Sequence, residues 1–136
     1  LYKGMNNIRR AGEMKNFTDK EEELVRLFIS MGISKNVART LVLLAAMEEG
    51  TSIDIERTTG LRQPEVSIAI QELRDRGWVE KRDQIRERKG RPVHTYRLAM
   101  PYDNIIAAIE TTEKQRIKHM EAGLNRLRTL MKKSDG

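Results

Sequence analysis

Residues 52–73 read Ser52-Ile53-Asp54-Ile55-Glu56-Arg57-Thr58-Thr59-Gly60-Leu61-Arg62-Gln63-Pro64-Glu65-Val66-Ser67-Ile68-Ala69-Ile70-Gln71-Glu72-Leu73. Thr51-Ser52 starts a short helix that ends at Thr59-Gly60, and after Leu61 a second helix runs from about Gln63 to Arg76, stopping at Gly77. Pro64 falls in the first turn of that second helix, where its missing amide would have had no intrahelical partner. Gly60 supplies the positive φ that a sharp turn between the two requires. Ile55, Leu61, Val66, Ile70 and Leu73 are spaced to close a small core between the helices. With Val66, Ala69, Ile70 and Leu73 inward, Gln63, Pro64, Ser67, Ile68 and Gln71 face outward. Taken alone, the segment is either a helix-turn-helix or an ordinary helical hairpin.

The residues after Gly77 decide between them. Trp78 to Asp83 and Val93 to Leu98 are short strand-like runs, and Thr95-Tyr96-Arg97-Leu98 alternates in polarity. Between them Gln84-Ile85-Arg86-Glu87-Arg88-Lys89-Gly90-Arg91-Pro92 is a loop by its charge and its Gly/Pro content. Two short helices and then a β-hairpin fit a winged helix-turn-helix. The expected fold is mainly α with a small β-hairpin wing (α+β).

Upstream, Thr18-Asp19-Lys20-Glu21 has the spacing of a capping box. Leu24, Val25, Leu27, Phe28, Ile29 and Met31 then give the first helix a broad apolar face, and Gly32 ends it as the C′ residue. Ser34 can cap a second helix to about Glu49, with Val37, Leu41, Leu44 and Ala45 inward and Gly50 as its stop. Residues 1–16 carry Lys3, Arg9, Arg10 and Lys15 against Glu13 and show no periodicity, so they read as a flexible basic arm. Leu1-Tyr2-Lys3-Gly4 precede Met5. Either Met5 is the native start behind a vector-derived remnant, or the chain is a natural internal fragment.

The whole chain has 136 residues and a formal charge of +6, which suits a polyanionic partner. Much of that surplus lies in the hairpin. From Glu80 to Arg97, Lys81, Arg82, Arg86, Arg88, Lys89, Arg91 and Arg97 oppose Glu80, Asp83 and Glu87, a net of +4. Residues 34–79 net −1. A solvated loop is the plain alternative, but a winged helix places this hairpin on a sugar-phosphate backbone. Arg86, Arg88, Lys89 and Arg91 are the wing candidates, and narrow minor grooves attract arginine. The recognition-helix contacts then fall to Arg62, Gln63, Pro64, Ser67, Ile68 and Gln71, with Arg62 set for a phosphate, the others for base choice, and glutamine able to pair with adenine.

The run "TTGLRQPEVSIAIQELRDRGWVEKR" followed by "KGRPVHTYRL" resembles the winged-helix domain of archaeal regulators related to the TrmB and MarR families. The resemblance spans about Ser34 to Leu98. It implies that the helix from Gln63 is the recognition helix and the hairpin loop a wing. The sequence departs from the family pattern at two places. Glu56 stands where a small residue is usual, and Ile68 where a polar or basic one is common. An outward Ile68 is either a methyl contact to thymine or a half-buried side chain.

After Pro101, Tyr102 to about Lys133 reads as one long helix. Ile105, Ile106 and Ile109 make a patch suited to packing on the body of the domain. Beyond it Glu113, Ile117, Met120, Leu124, Leu127 and Met131 recur at spacings of four and three, a heptad seam. Such a seam calls for a second copy, so Ile117, Met120, Leu124, Leu127 and Met131 are the expected dimerisation residues. A fold-back on the same chain lacks a helix of equal length. The expected organisation is therefore arm (1–16), winged domain (17–100) and dimerisation helix (101–136).

The same reading excludes several classes. Zero cysteines remove disulfides and thiolate metal sites, and His94 and His119 lie far apart. No glycine-rich phosphate loop and no catalytic spacing is present, so no enzyme, cofactor or metal is expected. The longest apolar stretch, Leu41 to Met47, is too short for a membrane span. The expectation is a dimeric, sequence-specific regulator binding double-stranded DNA, cytoplasmic and nucleoid-associated. No residue marks an effector pocket. An architectural DNA-coating protein, or a winged helix used for protein contacts, are the alternatives.

Overall fold

A computed structural model of the protein describes residues 17–85 and 92–135. The basic arm and residues 86–91 of the hairpin loop lie outside the described residues, while Gln84 and Ile85, read as loop, continue a strand and Pro92 opens the next, because the backbone pairing runs on to Ile85 opposite Pro92. In chain order the elements are α1 (Asp19–Ser30), α2 (Lys35–Ala46), β1 (Gly50–Thr51), α3 (Ser52–Thr59), α4 (Gln63–Asp75), β2 (Val79–Ile85), β3 (Pro92–Leu98) and α5 (Tyr102–Asp135). The described chain is mainly helical with one small antiparallel sheet, in the order β1-β3-β2. It divides into two compact units, Leu1–Ile105 and Ile106–Gly136.

In the first unit both ends of α1 are closed by local chemistry. The Thr18 hydroxyl accepts the Glu21 amide at 3.1 Å, and the Glu21 carboxylate accepts the Thr18 amide at 2.8 Å, so the capping box forms in full. At the other end of α1 the Gly32 amide reaches the Ile29 carbonyl and the Ile33 amide the Phe28 carbonyl. That is a Schellman closure, and it needs the positive φ of 93° at Gly32. Ser34 takes the N-cap position of α2 but its hydroxyl makes no capping bond. At an exposed helix start this costs little, since water serves the same amides.

α2 is the central element, packed against α1, α3, α4 and β3. Val37, Ala38, Thr40, Leu41, Val42, Leu43, Leu44 and Ala46 are all buried, whereas Ala45, expected inward, is half-buried. From Val37 onward the helix is buried round most of its circumference, with Arg39 and Ala45 half-buried. It stops earlier than its apolar run suggests. Met47 is already extended, at φ −127° and ψ 158°, and Gly50 is no helix stop. Gly50 and Thr51 instead form β1, paired with Tyr96 and Thr95 of β3. The chain must straighten after Ala46 to reach that sheet edge. A Cβ on Gly50 would lie 3.0 Å from the Met47 Sδ and Cε atoms.

β2 and β3 pair from Val79 opposite Leu98 to Ile85 opposite Pro92. The sheet is thus three-stranded where the sequence suggests a hairpin alone. Trp78, Val79, Thr95 and Leu98 are buried. α1 buries less than its apolar face suggests: Val25 is covered, but Leu27, Ile29 and Met31 are exposed.

The second unit is helix from Ile106 onward, the larger part of α5. Glu110 with Lys114 at 3.1 Å and Glu113 with Arg116 at 2.7 Å are ion pairs along its surface. Ile109 is buried. Ile106, expected to pack with it, is exposed, as are Ile117, Met120, Leu124, Leu127, Leu130 and Met131. Among the described residues no helix is long and apolar enough to cross a membrane.

Candidate nucleic-acid interface

The turn between α3 and α4 is held from three sides. Gly60 sits in the left-handed region at φ 76°, and its amide donates to the Glu56 carbonyl at 2.9 Å. The Thr59 hydroxyl donates to the Ile55 carbonyl at 2.6 Å and accepts the Leu61 amide at 3.2 Å. Arg39 of α2 donates to the Thr59 carbonyl at 3.1 Å, pairs with Glu22 at 3.5 Å, and stacks 4.6 Å from the Phe17 ring centroid. Each of these backbone groups has a partner, so the angle between the helices is tightly defined. At the start of α3 the Thr51 hydroxyl and the Asp54 carboxylate form a second capping box, a Thr-x-x-Asp spacing present but unread in the sequence.

α4 presents two sharply different faces. Val66, Ala69, Ile70 and Leu73 are buried, and Ile55 of α3 with them, while Leu61 is half-buried. Arg62, Gln63, Pro64, Ser67, Ile68 and Gln71 are all exposed. Ile68 is not half-buried. At 70% it is the most exposed large apolar side chain among the described residues. Arg62 starts the helix, its amide donating to the Glu65 carboxylate at 2.9 Å. Gln71 donates through Nε2 to the Asp75 carboxylate at 2.8 Å. This i,i+4 bond engages one donor of an amide that the sequence reading gives to bases. At the far end Arg76 pairs with Glu72 at 3.1 Å and lies 4.9 Å from the Trp78 ring centroid.

The hairpin adds its charge unevenly. Arg82 is paired with Glu49 at 3.0 Å and Arg97 with Glu80 at 2.6 Å, whereas Lys81 is exposed. Arg86, Arg88, Lys89 and Arg91 lie outside the described residues. His94 is exposed on β3, opposite Asp83 in register. Among the described residues no group of His, Cys, Asp or Glu is arranged to hold a metal ion. The residue that sequence reasoning missed is Arg39. Its partner carbonyl is 20 positions away, so no local spacing signals it.

A three-helix core, a glycine turn, an outward-facing second helix and a flanking hairpin define a winged helix-turn-helix fold. Residues 31–90 match the model of the MarR family, a stretch that contains α2, the turn and α4. Among solved structures the chain is similar to TrmBL2, an archaeal chromatin protein described as showing a novel mode of DNA binding. The identity is 16% and the TM-score 0.58, over 82% of this chain and 40% of that one. At that identity the likeness is one of fold, and the chain spans 40% of its relative's length. Pex from Synechococcus sp. (strain PCC 7942) is matched at 19% identity and a TM-score of 0.43, over 71% of this chain and 96% of that one. No curated protein matches the chain in sequence.

Proposed function

We propose that the protein is a dimeric regulator of transcription that binds double-stranded DNA sequence-specifically, acting in the cytoplasm on the nucleoid. The observation that carries this reading is the exposed face of α4, from Arg62 to Gln71, rigidly set by the turn before it. Its exposed, mostly uncharged side chains suit base edges in a major groove better than they suit phosphates. Backbone affinity then comes from the wing residues Arg86, Arg88, Lys89 and Arg91 and from the basic arm. Ile117, Met120, Leu124, Leu127 and Met131 bury the heptad seam against a second copy. Two symmetric recognition helices call for a palindromic operator with half-sites about 10 base pairs apart.

Selection from a random duplex library tests the reading. The unmodified protein is expected to enrich a palindrome. Gln63→Ala with Gln71→Ala should relax it at defined positions, by roughly 1–3 kcal/mol for each good paired contact. An enriched motif that survives both changes counts against base reading by α4. Alanine at Arg88, Lys89 and Arg91 should instead weaken binding to all sequences alike. The salt slope should fall by up to about 0.9 for each phosphate no longer neutralised. An unchanged slope would return the loop to solvent.

A second reading, an architectural protein that coats DNA with weak selectivity, is favoured by the fold likeness to a chromatin protein and by the basic residues of the arm and the hairpin. Genome-wide binding in broad tracts rather than discrete peaks would select it. Binding to no duplex at all would leave a winged helix for protein contacts.

A further inference from the structure

We propose that Ile68 is a specificity-determining residue that packs on the 5-methyl group of thymine in the major groove, an inference that rests on the DNA-binding reading above. Three observations converge on it. Ile68 is 70% exposed and lies midway along the outward face, between Gln63 and Gln71. Nothing in the fold calls for it there. A β-branched side chain on a solvent-facing helix position is a slightly worse helix former than alanine or a long polar residue, and it covers no core.

The surroundings supply the third observation. The polar groups about one turn away are engaged within the protein. The Glu65 carboxylate accepts the Arg62 amide, the Gln71 amide donates to Asp75, and the Glu72 carboxylate holds Arg76. One turn before Ile68 stands Pro64, also exposed and without a donor. Ile68 and Pro64 thus leave a carbon surface between Gln63 and Gln71, with the Ser67 hydroxyl beside it. Of the groups a standard base pair displays in the major groove, the thymine C5-methyl is the only alkyl group. A single branched side chain with one apolar neighbour matches a target of that size. A protein partner would call for a contiguous apolar patch of a few hundred Å².

The test replaces thymidine by deoxyuridine, which removes the methyl group and keeps the hydrogen-bonding edge. The probe is the duplex that the unmodified protein enriches from a random library. Where selection enriches none, poly(dA-dT) is compared with poly(dA-dU). The unmodified protein should bind the uridine duplex more weakly, by about fourfold for each methyl group removed from the interface. Ile68→Ala should bind the thymidine form more weakly and lose the discrimination, with a thermal melt no lower than before, because the side chain covers no core and alanine is the better helix former. Any discrimination that persists in Ile68→Ala reports duplex shape, and a full-sized remainder overturns the proposal. So does equal binding of both duplexes by the unmodified protein, which would give Ile68 to a protein contact. Failure to bind either duplex removes the DNA-binding reading itself, an outcome distinct from equal binding.

Discussion

α4 and the distal part of α5 carry apolar stripes of similar regularity, and the protein treats them in opposite ways. Val66, Ala69, Ile70 and Leu73 are buried within the first unit, at 4% exposure or less. Ile117, Met120, Leu124, Leu127 and Met131 stand between 46% and 64% exposed. A periodic stripe therefore says that a helix needs a partner surface, not where that surface comes from. The difference lies in the chain around them. α4 is bracketed by turns that fold it back within a few residues, at Gly60 and at Gly77, both at positive φ. α5 runs for 34 residues with no such bracket.

The comparison breaks most visibly if the open stripe is charged. Leu124→Asp with Leu127→Asp removes four apolar side chains from a symmetric pair. With about half of each already exposed, the loss is roughly 4 kcal/mol or more over the pair. Light scattering should show a dimer turning into a monomer at micromolar concentration. The fluorescence of Trp78, the only tryptophan and buried in the first unit, should stay as it was. A monomer before the change would end the dimer reading. On the closed stripe, Leu73→Ala should destabilise the first unit by roughly 3 kcal/mol, seen as a lower denaturant midpoint by that same fluorescence. Leu73 is fully buried, so a cost under 1 kcal/mol would contradict the packing described. The smallest effect belongs to Gly123, mid-helix in α5, with nothing within 4 Å of a Cβ built there. Gly123→Ala should raise the thermal midpoint, worth about 0.5–1 kcal/mol of helix stability. A fall instead would mean that the partner's backbone approaches closely at that point.

Much of the first unit is legible in the sequence because its signals are local. The capping box at Thr18, the glycines at 32, 60 and 77, and the 3.6-residue period of α4 each act within a few residues. Features held by distant partners escape such reading. β1 is two residues long, shows no alternation, and exists because Tyr96 and Thr95 lie alongside. The burial of Val42 and Leu43 comes from elements on every side of α2, which no period reveals. The outward face of α4 is readable from the helix period, but the commitment of Gln71 to Asp75 belongs to side-chain geometry. The exposure of Ile106 marks the same limit, since neighbouring isoleucines on one helix cannot all point one way.

The two-residue strand has a mechanical consequence. β1 ends at Thr51 and α3 begins at Ser52, while α4 ends at Asp75 and β2 begins at Val79, so both helices are hinged to one sheet with almost no slack. α3, the turn, α4, β2, β3 and β1 thus form a closed linkage, in which a rotation at any joint must be shared by all the others. Lengthening the chain at Thr51 or at Gly77 would unlatch that loop. These two helix-to-sheet joints are where a change of length becomes a change of angle.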